Sequence, residues 1–160
     1  MLLKYSIKQI LLKIMRKVLA DYGEKLMVKS PNFGCDELRN AISLYLGRSR
    51  GLHISRQQII IGSGAEYLYG LIVQLLGKER IYAIEDPSYE KIQKVYEVHG
   101  VGIRRLKMDV DGISSSELAF TDASVLHVTP FNSYPSGVSA SASKKHEYLR
   151  WAEEREGYII

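Results

Sequence analysis

The sequence predicts an α/β protein built on a mostly parallel sheet. Three observations lead there. From Gln58 onward, short apolar runs of strand length alternate with longer segments whose apolar residues recur at helical spacing. Glycine and proline clusters punctuate the joints of that alternation. The composition, 46% hydrophobic and 25% charged over 160 residues, is that of a globular chain with enough apolar mass for a core.

The elements follow in order. Within residues 3–20, Ile7, Ile10, Leu11, Ile14, Val18 and Leu19 fall on one helical face with lysines opposite, which predicts an amphipathic arm. A membrane-surface helix is the lesser reading, because no Trp or Phe anchors it. Pro31-Asn32-Phe33-Gly34 is a turn cluster, and Asp36 is the expected cap of a helix through Leu38, Ala41, Ile42, Tyr45 and Leu46. Arg48, Arg50 and Gly51 suit its end. Ser55 opens a short turn. Ile59-Ile60-Ile61 reads as a buried strand, followed by a glycine-rich turn and a helix through Leu68, Leu71, Ile72, Leu75 and Leu76. Strands are predicted at Ile81–Glu85, Ile103–Met108 and Val125–Thr129, with a helix from Tyr89 to His99 between the first two. Ser114-Ser-Ser-Glu117 has the form of a capping box. A helix from Ser143 to Glu156, with Ser143 as its cap, ends at Gly157. Tyr158-Ile159-Ile160 begins a further strand, so the domain is expected to continue past Ile160.

Charge and cysteine content exclude several classes. The single cysteine, Cys35, allows no disulfide framework and no cysteine-rich zinc site, and a reducing cytoplasm fits it best. No run approaches the roughly 18 consecutive apolar residues of a membrane span. Lys4, Lys8, Lys13, Arg16 and Lys17 interrupt any signal-peptide core. Residues 1–30 hold seven of the 22 basic side chains and only two of the 18 acidic ones. The net charge of +4 is therefore an N-terminal feature and not a basic face on the folded body, which a nucleic-acid groove would need. His53, His99, His127 and His146 lack metal-ligand spacing and read as structural.

Four motifs carry possible chemistry. Gly62-Ser63-Gly64-Ala65-Glu66 joins a strand to a helix, where glycines admit a phosphate to free N–H groups. Tyr67 stands where a dinucleotide fingerprint needs its third glycine, and no P-loop lysine follows, so a plain tight turn competes. Glu85-Asp86-Pro87-Ser88-Tyr89 ends a strand, the place where open α/β sheets bind ligands, and Tyr89 can stack on a flat ring. Its plainer reading is an acidic turn with a helix cap. Thr129-Pro130-Phe131-Asn132-Ser133-Tyr134-Pro135-Ser136-Gly137 is a long polar and aromatic loop after another strand, functional or structural. Ser141-Ala142-Ser143-Lys144 matches Ser-x-x-Lys, but the partner motifs of that chemistry are missing; a helix cap with Lys144 and Lys145 in solvent is the better account.

Taken together, these loops resemble the cofactor domain of class I/II aminotransferases, the fold-type-I pyridoxal-phosphate architecture. The nearest variety is the aminotransferase-like domain of MocR-type GntR transcriptional regulators. The matching stretches are Gly34-Cys-Asp-Glu-Leu-Arg-Asn-Ala-Ile, Ser49-Arg-Gly-Leu, Ile61-Gly-Ser-Gly-Ala, Glu85-Asp-Pro-Ser-Tyr and Val128-Thr-Pro-Phe-Asn-Ser-Tyr-Pro-Ser-Gly. The resemblance implies a helical arm and linker over residues 1–34 and part of the parallel-sheet large domain over 35–160. It places Gly64, Ala65 and Glu66 at the phosphate of pyridoxal 5′-phosphate and Tyr89 against its ring. Tyr134 stands where ordinary aminotransferases carry an asparagine for the ring 3-oxygen, as MocR-type domains commonly do, and Asn132 is a second candidate for that oxygen. The family usually has an amide or hydroxyl at position 66. Glu66 must turn away from a phosphate of charge near −2 or weaken its binding.

The resemblance places the Schiff-base lysine, the acidic partner of the pyridine nitrogen and the substrate arginine beyond Ile160. These 160 residues are then expected to lack transaminase activity. The intact protein is expected to bind an amino-acid-like molecule as a homodimer, with no DNA contact by this chain and no membrane association. A free-standing aminotransferase and a non-catalytic relic are the alternatives.

Overall fold

A computed structural model describes residues 6–160, which form two compact units, one reaching to Gly62 and one from Ser63 to Ile160. In the first, helix α1 (Ile7–Tyr22) starts at a capping box made by Ser6 and Gln9 and buries none of its residues. Residues 3–5 of the predicted arm lie outside the described residues. Helix α2 (Asp36–Arg50) is capped by Cys35, not by Asp36, which falls in its first turn. Gly51 ends it in the left-handed conformation at φ 67°, as expected of a helix C-terminus. Arg39, on α2, is nearly buried; it donates to the Arg56 carbonyl at 3.2 Å and pairs with Asp36.

One predicted element of this unit does not form. Ile59-Ile60-Ile61 is an extended connector, not a strand. Its only ladder-like bond runs from the Ile61 N–H to the Phe33 carbonyl at 3.0 Å, and Ile60 is half exposed. A strand needs a neighbour to pair with, and none lies beside it among the described residues.

The second unit is an open sheet with helices on both faces. Helix α3 (Ala65–Leu76) leads to β1 (Ile81–Asp86), helix α4 (Glu90–Val98) and β2 (Gly102–Asp109). A short hairpin follows through β3 (Gly112–Ile113), then helix α5 (Ser115–Phe120), β4 (Val125–His127), helix α6 (Ala142–Glu154) and β5 (Tyr158–Ile159). The strand order is β3-β2-β1-β4-β5, with every pairing parallel except the antiparallel β2–β3 hairpin. The sequence pattern did not announce that hairpin.

Alternation along the strands builds two cores. Tyr82 and Ile84 of β1 and Val125 of β4 point to a layer with Val73, Ile92, Tyr96 and Val101, from α3, α4 and the turn before β2. Ala83 and Leu126 point the other way, against Leu118 of α5 and Tyr148 and Trp151 of α6. The polar tips of this second layer are satisfied: the Trp151 indole N–H donates to the Leu118 carbonyl at 3.1 Å, and the Tyr148 hydroxyl accepts the Ile113 N–H at 2.8 Å.

Two capping expectations need correction. Ser114 makes no cap to its helix; its hydroxyl pairs with that of Ser116. The cap of α6 is Ser141, two residues before the expected Ser143: its hydroxyl accepts the Lys144 N–H at 3.0 Å and donates to Asp111 at 2.7 Å. The same turn overturns the reading of Lys144 as solvated. Its stem is buried beside Gly112, and its ammonium reaches Glu147 at 2.7 Å and Ser115 at 3.0 Å.

Candidate functional site

The chain leaves β1 for β2 on one side and returns across to β4 on the other. The carboxyl ends of β1 and β4 therefore flank the crevice where open α/β sheets take ligands. Two loops rise there, Pro87–Tyr89 after β1 and residues 128–141 after β4.

Glu85 joins them. It sits near the end of β1, only 5% exposed, and both its oxygens are used by the other loop. Oε1 accepts the Thr129 N–H at 3.0 Å, and Oε2 accepts the hydroxyl of fully buried Ser133. Burial pushes the carboxyl above its ordinary pKa, while these two hydrogen bonds hold it down. The long loop is also knit internally, by Ser133 N–H to the Val138 carbonyl at 2.8 Å and Ala140 N–H to the Pro130 carbonyl at 3.1 Å. The Lys145 ammonium caps the ring of Phe131 at 3.7 Å and ties the loop to α6.

The N-terminus of α3 faces a cleft of about 430 Å³ lined by Ser63, Gly64, Ala65, Glu66, Tyr69, Tyr89, Lys91 and Ile92. Gly64 precedes the helix at φ 105°, a conformation that suits glycine, and open space lies where a Cβ would stand. The first bond of the helix is donated by Leu68 to the Gly64 carbonyl at 3.3 Å. The N–H groups of Ala65, Glu66 and Tyr67 have no acceptor among the described residues. Free donors at the positive end of a helix dipole form a site for an anion. Across the cleft, Lys91 Nζ stands 3.4 Å from Glu66 Oε1, and the hydrogen bond to Glu66 raises the lysine's pKa. Glu66 thus turns toward Lys91.

Tyr89 is 43% exposed and meets Tyr134 edge to face, with ring centroids 5.8 Å apart. Beneath the cleft, the Tyr69 ring lies edge-on to the His127 ring at 4.8 Å, and His127 Nδ1 shares a 2.6 Å hydrogen bond with the Tyr96 hydroxyl. Burial lowers the His127 pKa to about 4, so the imidazole is neutral at physiological pH.

Of the residues singled out from sequence, Gly64, Ala65, Glu66 and Tyr89 line one cleft, and Tyr134 reaches its edge through Tyr89. Asn132, at φ 49°, is instead folded back on its own loop: its N–H donates to the Ser139 hydroxyl at 2.9 Å, and Oδ1 accepts that hydroxyl at 3.4 Å. Sequence reasoning missed Glu85, Ser133, Tyr69 and Lys91. Glu85 lay inside a motif read as an acidic turn. Its place at the end of an apolar strand was the one local sign that it is a strand residue with a buried partner.

No group of His, Cys, Asp and Glu among the described residues is placed to hold a metal ion, and none of their helices is long and apolar enough to cross a membrane. A family model described as aminotransferase class I and II matches residues 4–160. The chain is 30% identical over 148 residues to the HTH-type transcriptional regulator YdeL of Bacillus subtilis, covering 92% of this chain and 32% of that protein. It is 29% identical over 131 residues to the HTH-type pyridoxine biosynthesis transcriptional regulator PdxR of Corynebacterium glutamicum, covering 82% of this chain and 29% of the regulator. The chain thus spans about a third of the length of these curated relatives. Among solved structures, the kynurenine aminotransferase of Pyrococcus horikoshii superposes with a TM-score of 0.82 at 21% identity, over 96% of this chain and 40% of that one. That likeness shows the fold.

Proposed function

The chain belongs to the class I and II aminotransferase family, and on that premise we propose that its cleft holds pyridoxal 5′-phosphate. One observation carries the reading: three unpaired N–H groups at the start of α3 share a cleft with an exposed tyrosine. The donor set fits the group. A phosphate accepts from the N–H groups of Ala65 and Glu66, and Gly64 leaves it room. Tyr89 would hold the ring, and Tyr134, braced edge-on against Tyr89, would be the residue offered to the ring oxygen. Asn132 would have to release Ser139 before its side chain could serve the cofactor. When bound, the cofactor supplies an electron sink for charge developing at an amino acid's α-carbon. The protein supplies binding and orientation through these residues, and Glu85 keeps the two loops in register.

In this reading the intact protein is a MocR/GntR-type transcriptional regulator that senses an amino-acid-like effector, works as a dimer in the cytoplasm, and contacts DNA through a part other than these 160 residues. YdeL and PdxR, both named HTH-type regulators, support it over a free-standing aminotransferase. Residues 1–34 act as the arm and 35–160 as the aminotransferase-like part. The 160 residues alone are not expected to transaminate, because the family resemblance assigns the Schiff-base lysine to a position outside them.

Absorbance spectroscopy with added pyridoxal 5′-phosphate, with and without borohydride, tests this. The expected result is saturable binding that Tyr89→Ala weakens, with no single lysine fixed by borohydride. Covalent capture at one lysine of this chain, Lys144 for example, overturns the inactivity. Absence of a winged-helix reading frame upstream of the coding region overturns the regulator assignment.

A further inference from the structure

Two charges in the cleft do nothing that the fold requires. Lys91 lies in the first turn of α4, the wrong end of a helix dipole for a cation. Glu66 lies in the first turn of α3, where the dipole and three unpaired N–H groups favour an anion. They face each other at 3.4 Å with both side chains about 60% exposed. An ion pair that exposed adds little to stability and is readily broken. Tyr89 adds a further contact that raises the lysine's pKa, while the neighbouring pair of Glu90 and Lys94 runs along α4 at 2.5 Å and leaves Lys91 to the cleft.

We propose that Lys91 is a phosphate-binding residue for which Glu66 is the resting counter-ion, so that an entering phosphate monoester exchanges partners with Glu66. The proposal rests on the cofactor reading above and goes beyond it: while the N–H groups of α3 stay unpaired, Glu66 holds Lys91 beside them, and Lys91 follows the negative charge that binds there. A dianion at the Ala65 and Glu66 N–H groups takes the dipole and the ammonium together, and Glu66 swings out to solvent, where it is already mostly exposed. The departure at position 66 then sets a threshold. A ligand must carry more negative charge than one carboxylate to draw Lys91 from Glu66.

The test uses the full 160-residue chain and the aldehyde-free probe 4′-deoxypyridoxine 5′-phosphate, with its unphosphorylated form as control. Affinities are read by titration calorimetry, and the Ala65 and Glu66 amide resonances are followed with inorganic phosphate. The wild type is expected to prefer the phosphorylated probe. Lys91→Gln should cut that preference by about tenfold, the scale of one charge-assisted hydrogen bond at a partly exposed site, and Lys91→Arg should restore it. Glu66→Gln should raise the preference and shift the amide resonances at lower phosphate concentration. A preference unchanged in Lys91→Gln, or moved in the same direction by Lys91→Gln and Glu66→Gln, overturns the exchange while leaving the cofactor reading intact. If no variant distinguishes the two probes, the cofactor reading falls and takes the exchange with it.

Discussion

Acidification should destabilise this protein through His127, and by an amount that the structure sets. An ordinary histidine titrates near 6.5; buried against Tyr69 and Tyr96, His127 is held down to about 4. The unfolded chain therefore takes up a proton between those values that the folded chain refuses. Unfolding is favoured as the pH falls through that window. The stability is fully present above pH 6.5 and lost progressively down to about pH 4. At about 1.36 kcal/mol per pKa unit, the loss amounts to roughly 3 kcal/mol, a large share of a domain's usual margin. Urea denaturation between pH 7 and pH 4 measures it, with His127→Gln as reference. Glutamine offers Tyr96 a partner but does not titrate, and every other ionisable group cancels in the difference. The wild type should lose about 3 kcal/mol relative to the variant across the window. Parallel curves, or an imidazole resonance of His127 that titrates near pH 6.5, would refute the reasoning.

Other perturbations test the scaffold around the site. Tyr148→Phe strands the buried Ile113 N–H and should cost about 1–3 kcal/mol in chemical denaturation; an unchanged midpoint would show that the hairpin does not depend on that bond. Gly112→Ala should cost at least about 2 kcal/mol, because φ is 134° there and the new methyl meets Tyr148 and Lys144; a fully stable variant contradicts the packing. Glu85→Ala removes both acceptors that hold the loop after β4, so limited proteolysis should cut within residues 129–141 while the sheet stays folded. Because burial raises the Glu85 pKa, its contribution is present at low pH and declines as the pH rises past the ordinary carboxyl value. Glu85→Gln should flatten that part of the pH–stability profile, and an unaltered profile would show that the carboxyl is not buried as described.

Local pattern made the helices and central strands legible, since periodicity and turn residues act over a few positions. It also picked out Gly64, from the glycine-rich turn before a helix, and Tyr89, from the end of β1. What it could not show depends on neighbours distant in the chain. Ile59-Ile60-Ile61 has strand composition, but pairing needs a second strand that no local window reveals. Ser141 and Ser143 are equal as caps by composition, and Asp111, thirty positions earlier, decides between them. Lys144 resembles a surface lysine until the hairpin turn at Gly112 covers its stem. Glu85 and Ser133 are 48 residues apart, and Tyr96 and His127 are 31 apart; neither pair has a spacing that would mark it.

The bonds from Glu85 to Thr129 and Ser133 have a consequence for anyone who redesigns this domain. The stretch after β1 and the stretch after β4 are not interchangeable cassettes. A transplant of the Thr129–Gly137 segment into a relative would succeed only if the recipient also offers an acceptor at the position of Glu85. A library that randomises one stretch while freezing the other would mostly sample broken pairs. Glu85 and Ser133 make a single unit of inheritance out of two segments that the chain keeps far apart.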